Sequence, residues 1–239
     1  MATNLTLRNA TFSATGTQIL YPLTLTLSEP RIGILGQNGS GKTTLLRLLA
    51  GLIAPTTGTV RLGPHDPATN RKAALAALGI LFQNPDHQIL FPTVEEELAF
   101  GLTQQGHPNP AQAVAHLLAQ EHRSHWARAA THTLSHGQRH YLCLLSILLM
   151  EPQTLLLDEP FAGLDLPTQA RLKHRLDALP QQIITITHDP ATLTRADRIL
   201  WLDHGRLHAD GPPAAILPAF TAAMTDLARN PDTSLNSSV

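Results

Sequence analysis

Residues 36–43 read GQNGSGKT, small residues closing on a lysine and a hydroxyl, the composition of a turn that holds an anion. In so glycine-rich a turn the backbone amides can converge on one oxyanion, and a helix starting at its end adds its dipole. Lys42 would bring a compact positive charge to the outer phosphates of a nucleotide, and the Thr43 hydroxyl an oxygen ligand for Mg²⁺. Only three lysines stand among the 17 basic residues, and one of them is here. Further on, TLLLDEP (154–160) delivers Asp158 and Glu159 at the end of an apolar run. An aspartate in that place suits Mg²⁺ coordination. A glutamate beside it suits a general base acting on water. Alone, the pair would read as an exposed acidic turn; beside a phosphate loop it reads as the other half of a phosphoryl-transfer site.

These residues need a scaffold that brings distant segments together. RIGIL (31–35) is a short apolar run entering the glycine turn, and Lys42 to Gly51 follows with leucines at helical spacing. Strand, glycine turn and helix make the first unit of an α/β fold. Leu5, Leu7, Leu23, Leu25 and Leu27 alternate with polar residues as in a half-buried sheet. Further strands are predicted at 78–82 (LGILF), 154–157, 183–187 (IITIT) and 198–202, with a helix over 167–179 between two of them. That spacing implies parallel β-units. Residues 84–150 change character, with helical periods and many histidines, and Thr93 with Glu96 forms a capping box. The expected organisation is a nucleotide-binding core at 1–83 and 151–228, a helical subdomain at 84–150, and a disordered polar tail at 229–239.

Composition removes whole classes of function. Formal net charge is −1, from 17 basic and 18 acidic residues, so no basic field for nucleic acid exists. Charged residues make up 15% of the chain, against about 25% typically, which suggests that partners cover part of the surface. The single cysteine, Cys143, excludes an internal disulfide and an all-cysteine zinc site, and on its helix it reads as a small core residue. The N-terminus lacks the pattern of a signal peptide. The longest apolar stretch, 141–150, is about half of what a bilayer-spanning helix needs.

Four further motifs narrow the choice among phosphate-loop proteins. Gln83 follows LGILF, LSHGQ (134–138) precedes a helix, AGLD (162–165) follows Asp158-Glu159, and THD (187–189) ends IITIT. In order and spacing, over roughly residues 3–217, the chain resembles the ATP-binding cassette (ABC) ATPases. The resemblance implies a RecA-like P-loop NTPase core with an antiparallel β subdomain and an inserted α-helical subdomain. It implies that ATP and Mg²⁺ are bound by Gly36, Asn38, Gly39, Ser40, Gly41, Lys42, Thr43 and Thr44, with Thr43, Gln83 and Asp158 on the metal. Glu159 would be the base, His188 the switch histidine on the γ-phosphate, and Gln83 the link to the helical subdomain. Ser135, Gly137 and Gln138 would meet ATP held by the opposite subunit, and Asp165 would lie at the dimer seam. The partner subunit would be a second copy or a paralogous ATPase.

Residues 83–102, QNPDHQILFPTVEEELAFGL, further resemble the same segment of energy-coupling factor (ECF) ATPases. Those bind a membrane T-component and a substrate-binding membrane component and power uptake of vitamins, such as biotin, or of cobalt and nickel ions. The expected location is the cytoplasmic face of the cell membrane, as a peripheral subunit with no nucleic-acid partner. A conventional ABC importer ATPase is the nearer alternative. A DNA-repair ABC ATPase is more distant, since heptads, cysteine pairs and a basic field are all absent.

Two positions depart from the family. The aromatic that stacks on adenine corresponds to Ala14 here, and base stacking is worth about 1–3 kcal/mol in single-strand complexes. Comparable affinities for ATP and GTP are therefore expected in equilibrium titrations; strong adenine selectivity would contradict this. The second is His136, where the signature normally has glycine. His132, His136 and His140 tempt a metal reading through their spacing, but no acidic residue accompanies them, and they are expected to be solvated.

Overall fold

The computed structural model describes residues 4–229. The expected tail therefore lies outside the described residues, except for Arg229, which ends the last helix.

Leu5, Leu7, Leu25 and Leu27 turn inward at period two, and the strands that carry them pair. β1 (Leu5–Ala14) and β2 (Thr17–Leu27) form an antiparallel hairpin with Leu5 opposite Leu27 and Leu7 opposite Leu25. β4 (Thr57–Leu62) adds antiparallel to the other edge of β1. The larger sheet has the order β5-β6-β7-β3-β8-β9. Its members are β3 (Arg31–Leu35), β5 (Leu78–Leu81), β6 (Thr154–Asp158), β7 (Gln182–Thr187), β8 (Arg198–Asp203) and β9 (Arg206–Gly211). All neighbours pair in parallel except β9, which runs antiparallel to β8 at the edge.

The central parallel strands are covered on both faces, which is why they read as unbroken apolar runs. Leu156, Ile184, Ile186, Ile32 and Ile34 face the small sheet and α1 (Lys42–Leu49), sharing a core with Leu5, Leu45 and Leu49. Leu155, Leu157, Leu81 and Ile183 face the other way, into a core with α3 (Val94–Gln104), α4 (Pro110–Gln120), α5 (His136–Leu149) and α6 (Leu166–Asp177). The three helices of residues 84–150 thus share one apolar core with the sheet. Each fully buried leucine contributes about 1.5–3 kcal/mol. The expected capping box is present: Thr93 accepts from Glu96 N, and Glu96 Oε2 accepts from Thr93 N.

Three elements lack a counterpart in the sequence reading: β4, α2 (Arg71–Ala77) and β9. So does α7 (Pro213–Arg229), which packs Ile216 and Phe220 against Leu35, Ile199 and Trp201. One expectation is overturned. His140 is not solvated: it is 0% exposed, because its face of α5 is pressed against the chain that leaves β6. His132 and His136 are exposed as expected.

Candidate active site

Every expected catalytic segment leaves the carboxyl end of a parallel strand. Gly36 follows β3, Gln83 follows β5, Glu159 follows β6 and His188 follows β7. Since β6, β7 and β3 are adjacent, the sheet order alone gathers the phosphate loop, the acidic pair and the histidine at one rim. This is where open α/β sheets bind their ligands.

The phosphate loop is shaped to receive an anion. Gly41 takes the N-cap of α1 at φ +96°, a left-handed conformation that glycine adopts without strain, and no side chain caps the helix. No acidic residue occupies the first turn of α1, so its amides and dipole face outward uncompensated. Lys42, 7% exposed, lies along the loop and donates from Nζ to Gly36 O (2.8 Å) and Gln37 O (2.6 Å). Burial pushes its ammonium pKa down, while the charges of Glu159 and Asp158 pull it back up. Ser40 Oγ is buried with no hydrogen-bond partner among the described residues. An orphaned hydroxyl in a glycine cradle fits a phosphate.

Thr43 Oγ1 donates to Asp158 Oδ2 at 3.0 Å, joining the start of α1 to the tip of β6. Burial raises the Asp158 pKa, and the Thr43 hydrogen bond opposes that rise. One hydroxyl and one carboxylate fit Mg²⁺, which takes few protein ligands and completes its shell with water and substrate phosphates. No group of three His, Cys, Asp or Glu side chains among the described residues is placed to hold a metal alone.

Glu159 is positioned by strain and by donors. Its backbone sits at φ +51°, with its amide donating to Ile186 O on β7 (2.9 Å). Its carboxylate accepts from Thr187 Oγ1 (2.9 Å), His188 N (2.9 Å) and His188 Nδ1 (2.6 Å). Base candidate and switch candidate are therefore in direct contact. Thr187, within the THD motif, is a hydrogen-bond partner of this carboxylate to which the sequence reading gave no role. Gln83 is exposed at the end of β5, next to the strand that carries Asp158. Thr44 is half-buried in the first turn of α1.

The signature residues lie elsewhere. Ser135 caps α5 and trades bonds with Gln138: Gln138 N donates to Ser135 Oγ (3.3 Å), and Ser135 N to Gln138 Oε1 (2.8 Å). Gly137 is pressed against the AGLD segment (162–165), where a β-carbon would lie 2.3 Å from Gly163 O. Asp165 caps α6 by accepting from Thr168 N (2.7 Å), and the Thr168 side chain, followed by this backbone bond, holds its carboxyl below the usual range. Ser135, Gly137, Gln138 and Asp165 line one cleft; Gly36, Gln37, Asn38 and His188 line another. The two share no residue, so the structure does not bring the two halves of the expected site together within one chain. The phosphate-side cleft also includes Phe220 and Met224 from α7, with Gln37 Nε2 at 3.1 Å from Met224 Sδ. The spacing of Ile216, Phe220 and Met224 was the available signal for that wall. Cys143 is buried with its thiol pushed up to about 12, as a packing residue requires.

Comparison with known proteins agrees with this geometry. The ABC transporter family model matches residues 20–162, more than half of the chain. The biotin transport ATP-binding protein BioM of Rhodobacter capsulatus is 51% identical, over 92% of this chain and 95% of its own. BioM of Rhizobium etli is 38% identical, over 84% and 90%. Among solved structures, cbiO1 from Clostridium perfringens, part of the ABC transporter complex cbiONQ, superposes over 100% of both chains with a TM-score of 0.76 at 26% identity. With its phosphate loop, acidic strand tip and signature helix in the order of that family, the chain belongs to the ABC transporter ATPases, as an ATP-hydrolysing subunit of the energy-coupling factor type.

Proposed function

We propose that two ATPase subunits, either two copies of this chain or this chain and a paralogue, close head to tail around two Mg·ATP on the cytoplasmic face of the membrane and power the uptake of biotin. The observation that carries the substrate is the 51% identity to a biotin transport subunit over nearly the whole of both chains. No helix among the described residues is long and apolar enough to cross a membrane, and in this reading the translocation path is supplied by other components. Those would be a T-component and a small substrate-binding membrane protein.

In this reading the loop from Gly36 to Thr44 grips the phosphates and Lys42 neutralises the γ-phosphate. Thr43 and Asp158 would hold Mg²⁺, aided by Gln83, and the ion when bound would neutralise charge on the phosphate oxygens. Glu159 takes a proton from the attacking water, and His188, already within 2.6 Å of it, stabilises the charge that develops on the γ-phosphate. Because one chain keeps the phosphate cleft and the signature cleft apart, a partner must supply Ser135, Gly137 and Gln138. Hydrolysis then removes the group that both subunits grip, and the pair opens. Gln83, at the mouth of the helical region, passes that motion on.

Purification from native membranes in mild detergent, with mass spectrometry of the companions and bound ligand, tests the assembly. One T-type membrane protein, one small membrane protein and biotin are expected. Paired permeases with a soluble binding protein would overturn the partners, and cobalt, nickel or another vitamin in place of biotin would overturn the substrate.

A further inference from the structure

The backbone of Glu159 holds a left-handed conformation, φ +51°, that a non-glycine residue keeps only where its surroundings impose it. On one side the imposition is visible: the Glu159 amide donates to Ile186 O at 2.9 Å. On the other side the next carbonyl, Pro160 O, meets Nε2 of His140 at 3.2 Å, on a ring wholly excluded from solvent. A carbonyl only accepts, so Nε2 carries the proton. Nδ1 is then a bare acceptor, buried and with no hydrogen-bond partner among the described residues. Burial drives the pKa of this ring down, consistent with a neutral imidazole.

That arrangement is poor packing. A buried acceptor without a donor is destabilising, and an apolar side chain of similar size would fill the space without it. The ring's hydrogen bond falls on the residue next to the proposed base, and the Glu159 backbone itself also acts on the ring. Its neighbours on α5 bear on the same loop. Gly137 lies so close that a β-carbon would stand 2.3 Å from Gly163 O, and a β-carbon on Gly163 would stand 3.1 Å from the His136 ring. The first turns of α5 therefore support residues 159–165 at three points, while the start of the helix, at Ser135, opens into the signature cleft.

We propose that His140 is a positioning residue: its bond to Pro160 O fixes the backbone that aims Glu159, and so ties the base of one subunit to the seating of that subunit's signature helix. This rests on the reading of Glu159 as the base. It assigns His140 no contact with nucleotide.

His140→Leu removes the donor and keeps the bulk. The expected result is at least a tenfold fall in kcat, with ATP Kd unchanged within twofold and a Tm close to wild type, since the variant removes the orphaned Nδ1 but leaves Pro160 O without its donor. His140→Gln, whose amide reaches the same carbonyl, is expected to bring kcat back to within threefold of wild type. A kcat for His140→Leu within twofold of wild type would overturn the proposal. So would equal losses in the leucine and glutamine variants, or a loss of kcat that follows ATP affinity and Tm downward. Should the leucine variant fail to fold, His140→Met against His140→Gln makes the same comparison between two flexible chains that differ in the donor; equal kcat values overturn it. Glu159→Gln, run alongside, tests the base itself: full turnover there would remove the base assignment, whatever the His140 variants do.

Discussion

Glu159→Gln is expected to lower ATP turnover by a factor of about 10²–10⁴ while nucleotide binding survives and an ATP-closed dimer accumulates. The geometry makes the substitution clean. Two of the three donors on this carboxylate, His188 N and His188 Nδ1, fall on Oε1, and Thr187 Oγ1 falls on Oε2. A glutamine keeps an oxygen for the two histidine donors and turns its amide toward Thr187, whose hydroxyl reorients to accept. The strained backbone and its bond to Ile186 O are untouched. What disappears is a group able to take a proton from water. In the proposed cycle, where two bound ATPs close the pair and their hydrolysis reopens it, the variant is expected to be held after the first step and before the second. Phosphate release under single-turnover conditions, paired with size-exclusion chromatography in Mg·ATP, reads both consequences. Brisk phosphate release would assign the base elsewhere.

The parts of this site that were legible in the sequence are those whose chemistry fixes their composition. A turn that must expose amides to phosphate needs glycine, and a parallel strand covered on both faces must be apolar throughout. GQNGSGKT and TLLLD therefore announced themselves, and the sheet order added only the adjacency that turns two motifs into one rim. Elements held mainly by their neighbours did not. β4 turns only Val60 and Leu62 fully inward, and its register is dictated by β1, about fifty residues away. β9 is an edge strand with no fully buried residue and has only β8 to pair with. α7 contains Pro218, which interrupts the helical signal, although Ile216 and Phe220 are buried on one side of it. His140 shows the same limit at one residue. Its spacing from His136 was plain, but which face of α5 is dry depends on where the chain runs after Glu159, and no local pattern encodes that path.

Lys42→Met is expected to weaken Mg·ATP binding by about 10²–10⁴-fold, since hydrogen bonds to a charged group contribute about 1.5–3 kcal/mol each and this ammonium would make two to phosphate oxygens. Stability should hardly follow. Burial lowers the Lys42 pKa, so the folded state disfavours its charged form, and the fold gains little from the charge. Two of its three N–H donors go to Gly36 O and Gln37 O; methionine gives up those charge-assisted bonds, about 1.5–3 kcal/mol each, and with them the cost of keeping an ammonium out of water, which offsets the loss. Methionine matches the length of the stem and adapts to the channel. Isothermal titration with Mg·ATP, beside thermal unfolding without nucleotide, separates the two effects: affinity is lost and Tm stays close to wild type. Retention of ATP affinity within threefold would detach the glycine loop from the phosphates and leave the acidic pair without a substrate to act on. The contrast with Glu159→Gln carries the argument, because one variant should bind without turning over and the other should fail before binding. Both side chains stand at a single rim of one sheet, so only their chemistry, and not their place in the fold, can account for the difference.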